Sequence, residues 1–256
     1  MILATETTGG GEPLLILHGL LGSRENWRAI ANALAPRHRV VTVDLRNHGG
    51  SPRDPRMDYP SMAADLAETM GVAGIEAAVV MGHSMGGKAA MEFALRHPAR
   101  TRRLIVVDMA PREYEPIHRP LVAALAGVDL SACATRQDAE VVLRPMVPER
   151  PVLQFLLKGL RREPDGAWVW KFDLAAVRDS YEQLRAAIPA ARSSPVPALF
   201  LRGGNSEYVR EADQAGIREL FPAARIAAIP GAGHWPHFDA PAEFVAAVTE
   251  WIEGTG

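Results

Sequence analysis

The sequence contains very little cysteine and no long apolar run, and its positive and negative charges nearly balance. The chain has a single cysteine, Cys133, so it cannot form an intrachain disulfide or a thiolate metal cluster. No apolar run approaches the roughly 20 residues that a helix needs to span a bilayer. The formal net charge of −2 provides no basic field for nucleic acid or for an anionic membrane surface. We therefore expect a protein of a reducing compartment that binds neither nucleic acid nor a membrane.

The start of the chain, MILATETTGGGEP, also lacks a basic region followed by a sustained apolar stretch. A secretory signal requires both features. Together with the lone cysteine, this favours a cytoplasmic location.

What the chain does contain is an alternation of short apolar runs with longer amphipathic stretches. Buried strands are predicted at residues 14–17, 40–43, 77–81, 104–107, 198–201 and 226–229. Helices are predicted where apolar residues recur at helical spacing, at residues 26–34, 61–70, 85–96, 211–220 and 242–252. Continuous apolar strands that alternate with helices are typical of a mostly parallel sheet covered by helices on both faces. The predicted fold class is therefore α/β.

One interval interrupts this alternation. Residues 112–194 contain no convincing central strand, and segments such as PIHRPLVAALAGV and RPVLQFLLKGL are helical in pattern. The short AWVWKF has the pattern of a small ribbon. An interval of this length is too long for a structureless loop inside a compact domain. We therefore expect a core formed by residues 1–111 and 195–256, with residues 112–194 inserted as a helical cap.

The segment GHSMG places Ser84 between glycines where a predicted strand turns directly into a helix. This matches the G-x-S-x-G pattern in the strand–turn–helix context that gives the pattern meaning. So tight a turn favours residues without a Cβ at positions 82 and 86. It holds the serine in a strained conformation with its hydroxyl beyond the sheet edge. We predict that Ser84 is a nucleophile.

A serine nucleophile requires an adjacent base, and His234 in PGAGHWPHF is the best candidate. It follows the last predicted strand through a glycine-rich loop, so it should lie at the same sheet edge as Ser84. His237 is the rival, and we expect it to support the loop. HWPH is a poor metal pair because Pro236 lies inside that spacing and no carboxylate cluster accompanies it. Neither a metal nor a cofactor is expected.

Three further histidines are assigned to structural roles. His83, inside the tight turn, should point away from the hydroxyl of Ser84, and His48 should belong to a surface turn. His18 is interpreted as a hydrogen-bonded loop anchor.

The third group should be an acid that orients the imidazole, and two positions compete for this role. Asp108 follows the apolar run LIVV, and Glu207 follows LFLRGGNS one strand later. Both lie at strand ends. Spacing alone leaves the choice open.

An oxyanion hole needs two donors, and main-chain amides at two positions are suitable. The N–H of Met85 lies at the start of the helix after the serine. The segment LLILHGLLGS ends a strand at His-Gly, in the early loop that passes the tight turn in such folds. We assign the second donor to the N–H of Leu20.

The motifs HGLLGS, DLRNHGGS, GHSMGG and GAGHWPHFDAP, in this order, resemble those of the α/β-hydrolase superfamily over nearly the whole chain. The segments VVDMAP and LRGGNSEYV extend the similarity to the small bacterial carboxylesterases of the YbfF type and their mitochondrial relatives. In that group the acid lies on the strand after the nucleophile helix, within D-x-A-P. The resemblance therefore favours Asp108 over Glu207, and it places Asn205 and Ser206 in a loop near the site.

The expected activity is that of a serine carboxylesterase or thioesterase, which cleaves a small acyl ester or thioester through an acyl-enzyme. Carbon–carbon bond hydrolysis or perhydrolysis with the same triad is the alternative, and a non-catalytic binding protein of the same fold is a third reading. The candidate residues for an apolar acyl pocket in the cap are Leu121, Leu125, Phe155, Trp168 and Trp170. The sequence gives no indication of the oligomeric state.

Overall fold

The structure is a computed structural model, and residues 1–254 are described. Within these residues the strands are β1 (Thr5–Thr8), β2 (Glu12–Leu17), β3 (His38–Val43), β4 (Ala78–His83), β5 (Thr101–Val107), β6 (Leu160–Arg162), β7 (Trp168–Trp170), β8 (Ala198–Gly203) and β9 (Arg225–Ile229). Seven of these described strands form one sheet in the order β1-β3-β2-β4-β5-β8-β9. β1 is antiparallel to β3, and the other neighbouring pairs are parallel.

The described part of the chain also contains eleven α-helices. They are α1 (Arg28–Leu34), α2 (Tyr59–Val72), α3 (Met85–Arg96), α4 (Arg119–Ala126), α5 (Arg136–Leu143), α6 (Arg150–Lys158), α7 (Leu174–Asp179), α8 (Tyr181–Arg185), α9 (Gln214–Leu220), α10 (Pro236–Asp239) and α11 (Pro241–Glu253). Among residues 1–254, none of the helices has both the length and the apolar character needed to cross a membrane.

Helices cover both faces of the sheet because successive strand residues point to opposite sides. In β2, Leu15 and Leu17 pack in the apolar cluster that includes α2 and α3, whereas Leu14 and Ile16 pack in the cluster that includes α1 and α11. This period of two places an apolar layer on each face. The α/β fold predicted from the sequence is confirmed.

Each of the six predicted strands is present, and the sequence pattern missed β1. This strand has the sequence TETT, is mostly exposed and pairs with β3 at the edge of the sheet. An exposed polar edge strand lacks the apolar run by which buried strands are predicted.

Helices α4 to α8 and an antiparallel ribbon of β6 and β7 lie between β5 and β8. We refer to residues 112–194 as the insertion. Its two ends run side by side, because the N–H of Ile188 donates to the carbonyl of Pro111 at 2.7 Å and the N–H of Tyr114 donates to that of Arg185 at 3.0 Å. We call residues 111–114 and 184–188 the neck.

Candidate active site

β4 ends in a sharp turn that leads directly into α3, and Ser84 occupies this turn. Its backbone has φ 53° and ψ −118°, a region that residues with a side chain rarely adopt. A Cβ at Gly82 would lie 2.0 Å from the carbonyl oxygen of Gly86, and a Cβ at Gly86 would lie 2.5 Å from that of His18. The flanking glycines are therefore required by the close approach of backbone to backbone, as the sequence pattern predicted.

The carboxyl group of Asp108 lies at the end of β5 and is fully buried. Its Oδ2 accepts a hydrogen bond from Nδ1 of His234 at 2.8 Å. Its Oδ1 accepts one from the N–H of Gly203 at 2.9 Å, and the hydroxyl of Ser206 also donates to Oδ2. The side chain of Glu207 is exposed. Asp108, and not Glu207, is therefore the acid in contact with the imidazole.

The hydrogen bond to Asp108 determines the state of the His234 ring. Because a carboxylate only accepts, the neutral imidazole carries its proton on Nδ1 and leaves Nε2 as its basic atom. The ring also stacks on Tyr208, with 3.7 Å between centroids and 17° between planes. These two contacts fix both the tautomer and the plane of the ring.

Ser84 and His234 line the same cavity. Within residues 1–254 their side chains are not hydrogen-bonded to each other. Bonds between a catalytic base and its hydroxyl are often long without substrate and shorten when substrate binds. The arrangement brings the two groups to one cavity.

Leu20 and Met85 are among the residues that line this cavity. Among the described residues, neither N–H has a hydrogen-bond acceptor. Met85 is the first residue of α3, where helix N–H groups have no acceptor within the helix and attract negative charge. The carbonyl of Gly19 accepts from Nδ1 of His18 at 2.8 Å and from the N–H of Gly22 at 3.0 Å. The carbonyl of Gly19 and the N–H of Leu20 belong to the same peptide group. Because a peptide group is planar, the bonds that hold the carbonyl also orient this N–H.

His48 is buried, with 1% of its surface exposed, so the prediction of a surface turn was wrong. Its Nδ1 donates to the carbonyl of Arg46 at 2.9 Å, and its Nε2 accepts from the N–H of Leu21 at 3.2 Å. Burial lowers the pKa of His48 to about 3 and that of His18 to about 4, so both rings are neutral near pH 7. The loop motif DLRNHGGS carries no apolar run that would have indicated burial.

The two remaining histidines near the site contact the loop of His234. Nε2 of His83 donates to the carbonyl of His234 at 2.7 Å, so this ring holds the loop rather than the hydroxyl. His237 stacks on Trp27 at 4.1 Å between centroids. Burial lowers the pKa of His237 to about 3 and holds the pKa of His83 well below its usual value.

The cavity has a volume of about 1100 Å³. Of the five predicted pocket residues, Leu121 and Phe155 line it. Leu125 is instead buried in the apolar cluster that also includes α2 and α3. The indole N–H of Trp168 donates to the carbonyl of Ala134, and Trp170 stacks on Phe172. Among the described residues, these three side chains do not border the cavity.

Two residues that contact the site were not singled out for that role by the sequence. Ser206 was placed only in a nearby loop, yet it donates to Asp108. Tyr208 was not identified, yet it stacks on His234. Both follow β8, which pairs with β5, so their position after the strand next to Asp108 was the available signal.

The family of the chain follows from a comparison with known proteins. Residues 12–241 match the family model of the alpha/beta hydrolase fold. The chain therefore belongs to the α/β-hydrolase fold family, and the resemblance seen in its motifs is confirmed.

Relatives that align with nearly the whole chain indicate the kind of hydrolase to which it is similar. The chain is 40% identical over 243 residues to Esterase YbfF of Escherichia coli (strain K12), which covers 94% of this chain and 92% of that protein. It is 37% identical over 254 residues to the sn-1-specific diacylglycerol lipase ABHD11 of Danio rerio, which covers 96% of this chain and 80% of that protein. The solved structure of a marine microorganism esterase superposes with a TM-score of 0.95 at 39% identity, covering 98% and 99% of the two chains. These similarities confirm the expectation of a carboxylic ester hydrolase.

Proposed function

We propose that this protein hydrolyses acyl esters through a Ser84–His234–Asp108 triad and a covalent acyl-enzyme. The observation that carries the proposal is the 2.8 Å hydrogen bond between the buried Asp108 carboxylate and Nδ1 of His234, at the cavity that Ser84 also lines. A carboxylate in this position holds the imidazole in the tautomer that can accept a proton, and it stabilises the imidazolium that forms.

In the proposed reaction, Nε2 of His234 takes the proton of Ser84 as Oγ attacks the ester carbonyl carbon. The carbonyl oxygen becomes an oxyanion, for which the N–H groups of Leu20 and Met85 are the donors. The tetrahedral intermediate collapses, the carbon–oxygen bond to the alcohol breaks, and His234 returns the proton to the leaving oxygen. A water molecule, deprotonated by His234, then attacks the acyl carbon, the bond from this carbon to Oγ of Ser84 breaks, and His234 returns the proton to Oγ as the acid leaves.

The insertion is proposed to act as a cap, with residues 1–111 and 195–256 as the core. The neck supports the first boundary because its two segments pair with each other near residue 112. The second boundary is supported by Ser194, whose hydroxyl donates to the carbonyl of Ala94 in α3 at 3.0 Å. At this residue the chain is again in contact with the core. Insertion side chains form much of the cavity wall.

The substrate class is proposed to be acyl esters with an apolar acyl chain. Apolar side chains from three parts of the insertion line the cavity: Leu121, Val147, Val152, Phe155 and Leu156. Removing apolar surface from water against such a wall is favourable by about 25 cal/mol per Å². The names of two relatives, an esterase and a diacylglycerol lipase, agree with this class.

Labelling with a fluorophosphonate tests the nucleophile. The wild-type protein should form a covalent adduct, and Ser84→Ala should not. Ser131→Ala, which removes an exposed hydroxyl of the insertion, is the matched control and should label as the wild type does. Wild-type protein that stays unlabelled would show that the hydroxyl is not activated.

A substrate panel tests the bond that is cleaved. We expect turnover of 4-nitrophenyl esters graded from acetate to decanoate, with no turnover of a vinylogous diketone under the same conditions. Faster cleavage of the diketone than of every ester would instead favour carbon–carbon bond hydrolysis.

A further inference from the structure

Lys88 is a buried charged residue that the proposed mechanism does not use. It lies in α3, one helical turn after Ser84, and 1% of its surface is exposed. Burial and the nearby Arg112 lower its pKa, whereas hydrogen-bond acceptors around an amine favour its protonated form. A buried ammonium is costly unless hydrogen-bond acceptors surround it, so its partners indicate its role.

The ammonium of Lys88 donates to three backbone carbonyls. These belong to Arg112 at 2.7 Å, Arg185 at 3.2 Å and Ala186 at 2.5 Å. The Nζ atom also lies 4.9 Å from the ring centroid of Tyr114, within the range of a cation–π interaction. An ammonium has three N–H donors, so all three are used.

The three carbonyls come from both segments of the neck. Arg112 lies where the chain enters the insertion, and Arg185 and Ala186 lie where it returns. One side chain of α3 therefore binds the entering and the returning segment together. The hydroxyl of Tyr59 in α2 donates to the carbonyl of Leu184, which is a second contact between the core and the same part of the neck.

Lysine suits this position better than arginine. Lys88, Lys158 and Lys171 are the three lysines of the chain. An ammonium directs its three N–H donors from a single nitrogen, whereas a guanidinium distributes its donors over three nitrogens of a planar fork. A lysine suits this position because carbonyl acceptors from two chain segments converge on its one nitrogen atom.

The neck also contributes to the cavity. Tyr114, Leu184 and Arg185 are among the residues that line it. A shift of the neck relative to α3 would therefore move part of the cavity wall relative to the hydroxyl of Ser84.

We propose that Lys88 is a positioning residue, whose ammonium fixes the neck on the helix that carries Ser84 and so sets the cavity wall over the hydroxyl. This proposal rests on the proposed function for its effect on kinetics. The attachment itself can be measured without turnover.

Amide hydrogen exchange tests the attachment. In Lys88→Met, which keeps the apolar stem and removes the ammonium, the N–H groups of Tyr114 and Ile188 should exchange about 10-fold faster or more, because local opening of the neck costs less. Amides of β4 and β5 should keep their wild-type rates. Lys88→Gln, which retains two N–H donors, should give an intermediate effect.

Kinetics test the consequence for substrate binding. For Lys88→Met we expect KM for a decanoate ester to rise about 10-fold, while kcat/KM for an acetate ester stays within about 3-fold of the wild type, because the short acyl chain needs less of the wall. Lys171→Met is the matched control, since Lys171 joins the insertion to Glu25 of the core at 2.7 Å through an ion pair whose glutamate is half exposed. Such a pair contributes little, so both readouts should stay at wild-type values.

Several outcomes would overturn the proposal. These are neck exchange at the wild-type rate in Lys88→Met, an equal loss of activity on both esters, or a Lys171→Met effect as large as that of Lys88→Met. Failure of both Lys88 variants to fold would assign the residue to core stability instead. An absence of fluorophosphonate labelling in the wild type would refute the proposed function and leave the exchange result as an independent test of the attachment.

Discussion

At the scale of single residues, the site depends on how the carboxylate of Asp108 is held. Asp108 adopts φ 49°, and its two oxygens accept from His234, Gly203 and Ser206. Donors from a strand end, a loop hydroxyl and an imidazole converge on one buried group. This restraint leaves Oδ2 in a fixed position for Nδ1 of His234.

The first prediction concerns this carboxylate. Asp108→Asn keeps the shape of the side chain but presents an amide to Nδ1, which favours the wrong imidazole tautomer, so kcat for an ester should fall by about 10⁴-fold. Steady-state kinetics with a 4-nitrophenyl ester would measure the loss. The control is Glu207→Gln, which changes an exposed carboxylate and should alter kcat less than about 2-fold. A larger loss in the Glu207 variant than in the Asp108 variant would reverse the assignment.

At the scale of secondary-structure elements, the turn from β4 to α3 is the most constrained local feature. Ser84 is held at positive φ because its amide donates to the carbonyl of Val107 in β5 at 3.1 Å while α3 begins at the next residue. The backbone reverses so sharply that position 82 contacts position 86 directly. Strand and helix therefore fix the serine without any contribution from its own side chain.

The second prediction follows from this contact. Gly82→Ala would place a Cβ 2.0 Å from a backbone oxygen, so the free energy of unfolding should fall by about 3 kcal/mol or more, as measured in urea. Gly216→Ala is the matched control, because nothing lies within 4 Å of its Cβ position inside α9. Alanine there should stabilise the protein by roughly 0.5–1 kcal/mol. Equal stability of Gly82→Ala and the wild type would contradict the packing account.

The elements that sequence alone could predict are those with a strong local pattern. Continuous apolar runs indicated the parallel strands, and the glycines around Ser84 indicated the tight turn. The choice between Asp108 and Glu207 remained open from spacing because both follow strands; the family resemblance favoured Asp108, and the tertiary contacts show it beside the imidazole. The cavity wall was predicted poorly, since Trp168 and Leu125 have the same apolar character whether they face a ligand or another part of the insertion.

At the scale of the whole molecule, four buried histidines surround the site. Burial lowers the pKa of each: His18 to about 4, His48 and His237 to about 3, and His83 well below its usual value. Unfolded histidines have a pKa near 6.5. Below about pH 6.5 the unfolded chain therefore binds more protons than the folded chain, and the free energy of unfolding decreases as the pH falls.

The third prediction uses this linkage. The free energy of unfolding, measured in urea, should decrease as the pH falls from about 6.5 toward 4. His237→Phe should preserve the stacking on Trp27 and remove one titrating ring, which has a buried Nδ1 without a partner. Its pH dependence should be shallower, by at most about 1 kcal/mol per pH unit in that range. An unchanged slope in His237→Phe would show that this ring does not contribute to the acid sensitivity.

The central claim is that Ser84 becomes covalently acylated during ester hydrolysis. Mass spectrometry of protein quenched in acid during turnover of a slow ester tests it most directly. We predict a mass increase equal to the acyl group, located on the peptide that contains Ser84 and absent from Ser84→Ala. Steady turnover of the ester with no acyl adduct on Ser84, or with the adduct on another residue, would contradict the account.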